Sequence, residues 1–197
     1  MRKRKSAEDR KSEIEQTTLK LAFKHGPSQV TTGMIARELG LTQPAIYRHY
    51  PKKDDIWAAV AEFLGAEINQ NIARGDDPSL SPIARLEKLV LGHMKLVQKY
   101  PALPEFMLIR DQKNSQAIVQ NSIQIATGKF RNALEEEVKA AVADGTFRKD
   151  LDPADAAALI FGVIQSLVLR MLVTRKPEIL AKDGERLLEL QLSGFAA

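Results

Sequence analysis

Gln43, Tyr47, Arg48 and His49 fall within seven residues and bring together an amide, a phenol, a guanidinium and an imidazole. These are donors, acceptors and an aromatic ring of the kind that read base edges and grip phosphate, provided one helix face presents them. They lie in the stretch Val30 to Trp57, VTTGMIARELGLTQPAIYRHYPKKDDIW. Thr31 and Thr32 are capping residues, and Ile35, Ala36 and Leu39 put one apolar stripe on a first short helix. Gly40 turns the chain, Leu41 is a buried linker, Thr42 can cap the next helix, and Pro44 sits in its first turn. Ile46 is placed to pack back against Ala36, whose small side chain lets the two helices approach closely. Helix, glycine-containing turn, second helix is the helix-turn-helix, whose second helix enters the DNA major groove. Lys52 and Lys53 then begin another helix, where positive charge opposes the dipole and calls for an anion such as a phosphate.

The elements that must hold this face are helical from end to end. Apolar residues recur at spacings of three and four, punctuated by Gly, Pro and capping residues, and alternating β-former runs are missing. The spacing predicts an all-α chain of about nine helices: Ala7 to His25, Thr32 to Leu39, Gln43 to Tyr50, Lys53 to Gly75, Pro82 to Tyr100, Leu103 to Gln112, Ser115 to Ala143, Pro153 to Thr174 and Pro177 to Leu192. Gly26-Pro27, Gly75 with Pro78, and Asp144-Gly145 supply stops. Asp152-Pro153-Ala154-Asp155 supplies the strongest start: an acceptor at the N-cap, a proline where no N–H is needed, and an acid at the positive end.

The chain has 197 residues, no cysteine, and 29 Lys plus Arg against 25 Asp plus Glu. The formal charge of +4 hides an asymmetry: residues 1–53 hold 12 basic and 5 acidic side chains, and residues 54–197 hold 17 and 20. A basic first quarter on a mildly acidic remainder suggests that residues 1–53 face an anion and residues 54–197 form a second domain with another task. The basic arm Arg2 to Lys5 is either a disordered tail or a minor-groove contact. No disulfide or cysteine-based zinc site is possible, and His25, His49 and His93 are too scattered for a metal site, so neither metal nor cofactor is expected. No nucleophile elbow, phosphate loop, dinucleotide fingerprint or His-Glu-x-x-His occurs, and Glu135-Glu136-Glu137 reads as a solvated helix face; an enzyme is not expected. The basic start lacks a following apolar stretch, so a cytoplasmic location is expected. The apolar-rich run Ala156 to Val173 contains Gln165, Ser166 and Arg170 and reads as a core or interface helix, not a membrane span.

From about Ile14 to Val60 the pattern Thr-Thr, two residues, Ile-Ala, three residues, Gly-Leu-Thr-Gln-Pro-Ala-Ile-Tyr-Arg-His-Tyr, then Lys53, resembles the DNA-binding domain of the tetracycline-repressor (TetR) family of transcriptional regulators. That resemblance implies an N-terminal three-helix DNA-binding domain and a C-terminal helical domain that binds a ligand and dimerises. It implies phosphate contacts from Thr32 and Thr42, phosphate or sugar contacts from Tyr47 and Tyr50, and a phosphate held by Lys53. Gln43 and Pro44 would face base edges, adenine and a thymine methyl respectively, with Arg48 and His49 as further contacts. Gly33 stands where a side chain commonly points to DNA, and Ala22 where a large aromatic is usual. The stretch from Gly145 to Ala157 resembles the loop and helix start that often precede the family's dimerisation helices.

The Pro153 helix is apolar nearly all round and must be covered on more than one side, as an interface helix or as the central core helix of a monomer. With the last helix it would form a four-helix bundle across a twofold axis, using Phe161, Gly162, Gln165, Ser166, Leu169, Leu188 and Leu192. A homodimer would read a pseudo-palindromic operator in double-stranded DNA. Met94, Tyr100, Phe106, Met107, Gln112, Ser122, Gln124, Thr127 and Phe130 mix apolar and polar groups in a way that fits a small-molecule pocket and an ordinary core equally. The function expected is a homodimeric repressor released by a small, largely apolar effector. The alternative is a DNA-binding architectural or chromosome-organising factor of the same fold without an inducer.

Overall fold

A computed structural model of the chain describes residues 6–108 and 116–197, so the arm Arg2 to Lys5 and Gln112 lie outside the described residues. Among these are nine α-helices: α1 Ala7–His25, α2 Thr32–Leu39, α3 Gln43–Tyr47, α4 Lys53–Gly75, α5 Pro82–Lys99, α6 Leu103–Phe106, α7 Ala117–Ala143, α8 Pro153–Thr174 and α9 Ile179–Ser193. A short 3-10 turn, Pro27–Gln29, follows α1. The described residues form no strand, and one isolated antiparallel bridge joins Phe147 to Ala196. The chain is all-α, as its periodicity predicts.

The helix ends have local causes. Ser6 and Asp9 form a reciprocal capping box ahead of α1, and the Thr31 hydroxyl accepts from the Met34 N–H at 3.2 Å. Asp152 accepts from the Asp155 N–H at 2.9 Å with Pro153 in the first turn, satisfying donors that otherwise lack partners. Gly40 closes α2 at φ 65°, a left-handed conformation that glycine adopts without strain. The expected continuation of α3 to Tyr50 does not occur as regular helix. The His49 N–H bonds the Ile46 carbonyl three residues back, and Pro51 disfavours the α conformation in the residue before it.

Contacts divide the chain into two units, the described part of Met1–Gly65 with Tyr100–Gln124, and Ala66–Lys99 with Ile125–Ala197. The boundary expected at residue 53 therefore falls within the first unit. The reason is α4: Ile56, Trp57, Val60, Ala61 and Leu64 are all buried there, so its first half is part of the core that braces the helix-turn-helix. In that unit Trp57 meets Phe106 edge-on at 5.6 Å and Phe63 meets Tyr100 likewise at 5.2 Å. The Ser122 hydroxyl donates to the Ala61 carbonyl at 3.0 Å. Ala22 is buried while Phe23 is only half-buried, so this core is built around the small residue.

In the second unit, glycines set how closely helices approach. A Cβ on Gly92 would sit 2.0 Å from Asn71 Oδ1, and one on Gly184 2.4 Å from the sulfur of Met94. His93 is buried with its ring stacked on Phe130 at 4.2 Å. Burial pulls its pKa down to about 4. The folded protein thus holds the imidazole neutral, whereas the unfolded chain takes up a proton below about pH 6.5. This contribution to stability is complete above that value and is lost as pH falls through about 4. Denaturant melts are expected to show a loss of about 2–3 kcal/mol between pH 7 and 4.5 that His93→Phe removes. An unchanged slope in that variant would assign the acid sensitivity elsewhere.

Helix α8 buries Ala156, Ala157, Ile160, Ile164, Leu167 and Met171 in its own unit. The opposite side leaves Leu159, Leu169 and Val173 out, Leu169 at 63% and Val173 at 77% exposure. By length and composition alone this helix could cross a membrane, its most apolar 18-residue stretch having a mean hydropathy of 2.1, but a third of that stretch is buried. On α9 the inward stripe is Leu180, Gly184, Leu188 and Leu192. Leu188 and Leu192 therefore pack within their own unit and do not face outward as expected; Leu190, 66% exposed, does. The cause is Gly184, which seats that face of α9 on Met94 of α5.

Candidate nucleic-acid interface

The geometry of α2 and α3 follows from a few small contacts. Ile35, Ala36 and Ile46 are buried between them, and the Leu41 N–H donates to the Ala36 carbonyl at 2.8 Å, closing the turn. Lys20 on α1 pairs with Glu38 on α2 at 2.6 Å. The pair is exposed and contributes little stability, but it joins the supporting helix to the turn. Helix α3 thus has one buried side chain, Ile46, and an outer surface made of Thr42, Gln43, Pro44, Tyr47 and Arg48, all exposed.

Each expected contact residue can now be placed. Thr42 occupies the N-cap of α3 but its hydroxyl makes no capping bond, which leaves it available to an outside oxygen. Thr32 is buried, and its hydroxyl lies 3.1 Å from that of Tyr47. The pair joins the start of α2 to α3 and sets the Tyr47 phenol at the surface, 40% exposed. Arg48 is exposed, and Lys53 and His49 are partly so; among the described residues no salt bridge holds Arg48, Lys52 or Lys53. Asp55 caps α4 by accepting from the Lys52 N–H at 2.8 Å, leaving the side chains of Lys52 and Lys53 beside the helix start.

Tyr50 is different. Its ring is 6% exposed and its hydroxyl donates to the carboxylate of Glu15 on α1. Burial, and then that carboxylate, raise the phenol's pKa, so it remains a donor. The phosphate or sugar contact expected of Tyr50 is replaced by a bond that fastens the end of α3 to α1. Sequence spacing identified an aromatic at that place but not the direction of its ring, and nothing local marked Glu15 as its partner.

The residues expected to line an effector pocket are divided between the two units. Tyr100, Phe106, Met107 and Gln124 belong to the first unit, and Met94, Thr127 and Phe130 to the second. Tyr100, Phe106, Met94 and Phe130 are filled core positions, while Met107 and Gln124 are exposed. The second unit has an open, mostly polar groove of about 300 Å³ between Gly128, Arg131, Asn132 and Glu135 of α7 and Ala154, Ala157 and Ala158 of α8. None of the expected pocket residues lines it. Among the described residues no cluster of His, Asp or Glu has the grouping of a metal site.

A glycine-turned pair of helices whose second member offers an amide, a phenol, a guanidinium and flanking lysines is the construction of a helix-turn-helix DNA-binding protein. Residues 14–60 match the family of bacterial regulatory proteins of the tetR type, and residues 110–183 match the tetracyclin repressor-like C-terminal domain. The chain belongs to the TetR family of DNA-binding regulators; it is not an enzyme. The fold is shared with KstR2, a ketosteroid transcriptional regulator of Mycobacterium tuberculosis (TM-score 0.76, 17% identity, 95% of each chain covered). It is also shared with a TetR transcription regulator from Haloarcula marismortui (TM-score 0.73, 21% identity, 96% of this chain and 100% of that one). In sequence the chain is similar to nucleoid occlusion factors named SlmA. One, from a Marinomonas strain, is 21% identical over 76% of this chain and 74% of its own length. Another, from Aliivibrio fischeri, is 26% identical over 50% of this chain and 51% of its own, so that match spans about half of each protein.

Proposed function

We propose that the protein is a homodimeric, cytoplasmic, nucleoid-associated transcriptional repressor that binds a pseudo-palindromic operator and leaves it when a small, largely apolar effector binds the helical part of the chain. The observation that carries the DNA half is the outer face of α3. Thr42 has an unused hydroxyl, Gln43, Pro44 and Arg48 are exposed, and Lys53 stands without an ion-pair partner among the described residues at the start of α4. Such groups acquire partners on a phosphate backbone and a base edge. The effector half is supported by two buried polar atoms without hydrogen-bond partners, His93 Nδ1 and Gln98 Oε1, both on α5. Unpaired buried polar atoms are costly, and a ligand carrying one or two polar groups would relieve that cost. Driving release from 1:99 to 99:1 requires about 5.5 kcal/mol of preference for the non-binding geometry, within reach of an apolar ligand.

A second reading, a chromosome-organising factor without an inducer, is favoured by the names of the curated relatives and by the filled positions of Met94, Tyr100, Phe106 and Phe130. Mapping of bound sites across the chromosome separates the two: a few promoters favour the repressor, many dispersed copies of one sequence the organiser.

The test of the interface is a gel shift against the DNA upstream of the protein's own gene. Tyr47→Ala with Lys53→Ala is expected to weaken binding on the order of 100-fold at about 150 mM salt. It should also flatten the log–log salt slope by about two, one for each protomer's lysine. Equal binding by wild type and the double variant would overturn the assignment.

A further inference from the structure

We propose that Gly33 is a specificity-determining residue that acts through Gln43, by giving the Gln43 amide a seat on the first turn of α2. This rests on the sequence-specific DNA binding proposed above and adds a residue that makes no contact of its own.

Gly33 follows the cap residue Thr31 by two positions and so lies in the first turn of α2. A Cβ built on it would sit 2.6 Å from Gln43 Nε2 and 3.7 Å from Gln43 Cδ. Bonded-distance aside, carbon and nitrogen do not approach so closely, so a side chain at position 33 and the present conformation of Gln43 exclude each other. The atom in the way is the free end of a flexible side chain, not backbone. Any residue larger than glycine therefore turns Gln43 away without moving α2 or α3. Gln43 is exposed and no hydrogen bond holds its amide among the described residues; its amide nitrogen occupies the space that a side chain at position 33 would take.

That placement matters because a glutamine reads adenine with its carbonyl and its NH₂ together, and both must meet the base edge in one plane. A change of rotamer at Gln43 presents the same two groups to a different edge, or to none. Position 33 thus sets which base pair the first residue of α3 reads. The phosphate contacts proposed for Thr42, Tyr47 and Lys53 do not involve Gly33 and should be insensitive to it.

The experiment is selection from random double-stranded DNA with the full chain as wild type, Gly33→Ala, Gln43→Ala and the double variant, together with melting curves. Gln43→Ala defines the base pair that Gln43 reads, by erasing its preference. Gly33→Ala is expected to change the preference at that same pair by roughly 5- to 100-fold while leaving the other positions and the salt slope alone. Its melting temperature should stay near that of wild type. The double variant should select the same DNA as Gln43→Ala. A Gly33→Ala profile identical to wild type overturns the proposal. So does a Gly33→Ala effect that persists in full when Gln43 is absent, because position 33 would then act by itself. If wild type enriches no sequence, the reading of the chain as a sequence-specific regulator falls as well. Enrichment by wild type combined with either of the former results overturns this proposal alone.

Discussion

Gly92→Ala should destabilise the second unit by about 3 kcal/mol, far more than Gly33→Ala. A methyl group there would lie 2.0 Å from Oδ1 and 3.1 Å from Cγ of Asn71, well inside contact distance. The same clash at an exposed side chain would be relieved by a rotamer change, as at Gly33. Asn71 has no such freedom: it is 8% exposed and its Nδ2 donates to the Leu89 carbonyl on α5 at 3.0 Å. Turning the amide away breaks that bond and leaves a buried polar group unpaired, while keeping it forces α4 and α5 apart. Next to this contact Leu89 already lies 3.2 Å from where a Cβ on Gly75 would be, so the helices have no slack along this line. Denaturant melts measure the loss. Asn71→Ala in the Gly92→Ala background removes the obstructing oxygen and should restore part of it, a non-additive result that a clash demands and a helix-propensity effect does not. Strict additivity would assign the cost to something other than this contact.

How much of this was legible in the sequence depends on the range of the interaction. Caps and stops act within a few residues: α2 begins after Thr31 and ends at Gly40, α8 begins after Asp152, and α1 and α4 end at the stops read at Gly26 and Gly75. The outward face of α3 was readable for the same reason, since one buried residue, Ile46, fixes which side of a five-residue helix is exposed. Long-range partners were not readable. Tyr50 was legible as an aromatic at a meaningful spacing, yet its hydroxyl is claimed by Glu15, 35 residues away. On α9 two apolar stripes a residue or two apart compete for the core, and Gly184 against Met94 decides in favour of Leu188 and Leu192. Charge counts placed a boundary at residue 53, whereas packing extends the first unit to Gly65, because charge marks what a segment faces and burial marks what it is built with. A mixture of apolar and polar side chains does not distinguish a pocket from a core, and Phe106 and Phe130 are filled core positions.

Leu169→Glu is expected to convert the proposed dimer into monomers and to lower operator affinity by about 100-fold or more. Leu159, Gly162, Ser166, Leu169 and Val173 succeed one another at spacings of three, four, three and four, the repeat that keeps one seam of a helix against a partner. In the chain by itself this seam is bare: Leu159, Leu169 and Val173 are largely exposed, and a Cβ on Gly162 would meet no atom within 4 Å. An apolar seam of this length facing water is unfavourable, and Gly162 and Ser166 at its middle admit a second helix at short distance. In a twofold arrangement Leu169 would face its own copy or a near neighbour, so glutamate at that position would desolvate two like charges together. At 63% exposure the substitution leaves each protomer's own core untouched, and its melting behaviour under conditions that dissociate wild type should be unchanged. Loss of affinity then follows from valence, since a monomer brings one α3 to one half-site and forfeits the effective concentration that tethers the second. Sedimentation at micromolar concentration combined with gel shifts on full and half operators checks both steps. Binding to the half operator should survive at wild-type strength. A Leu169→Glu protein that still sediments as a dimer would move the interface away from this seam.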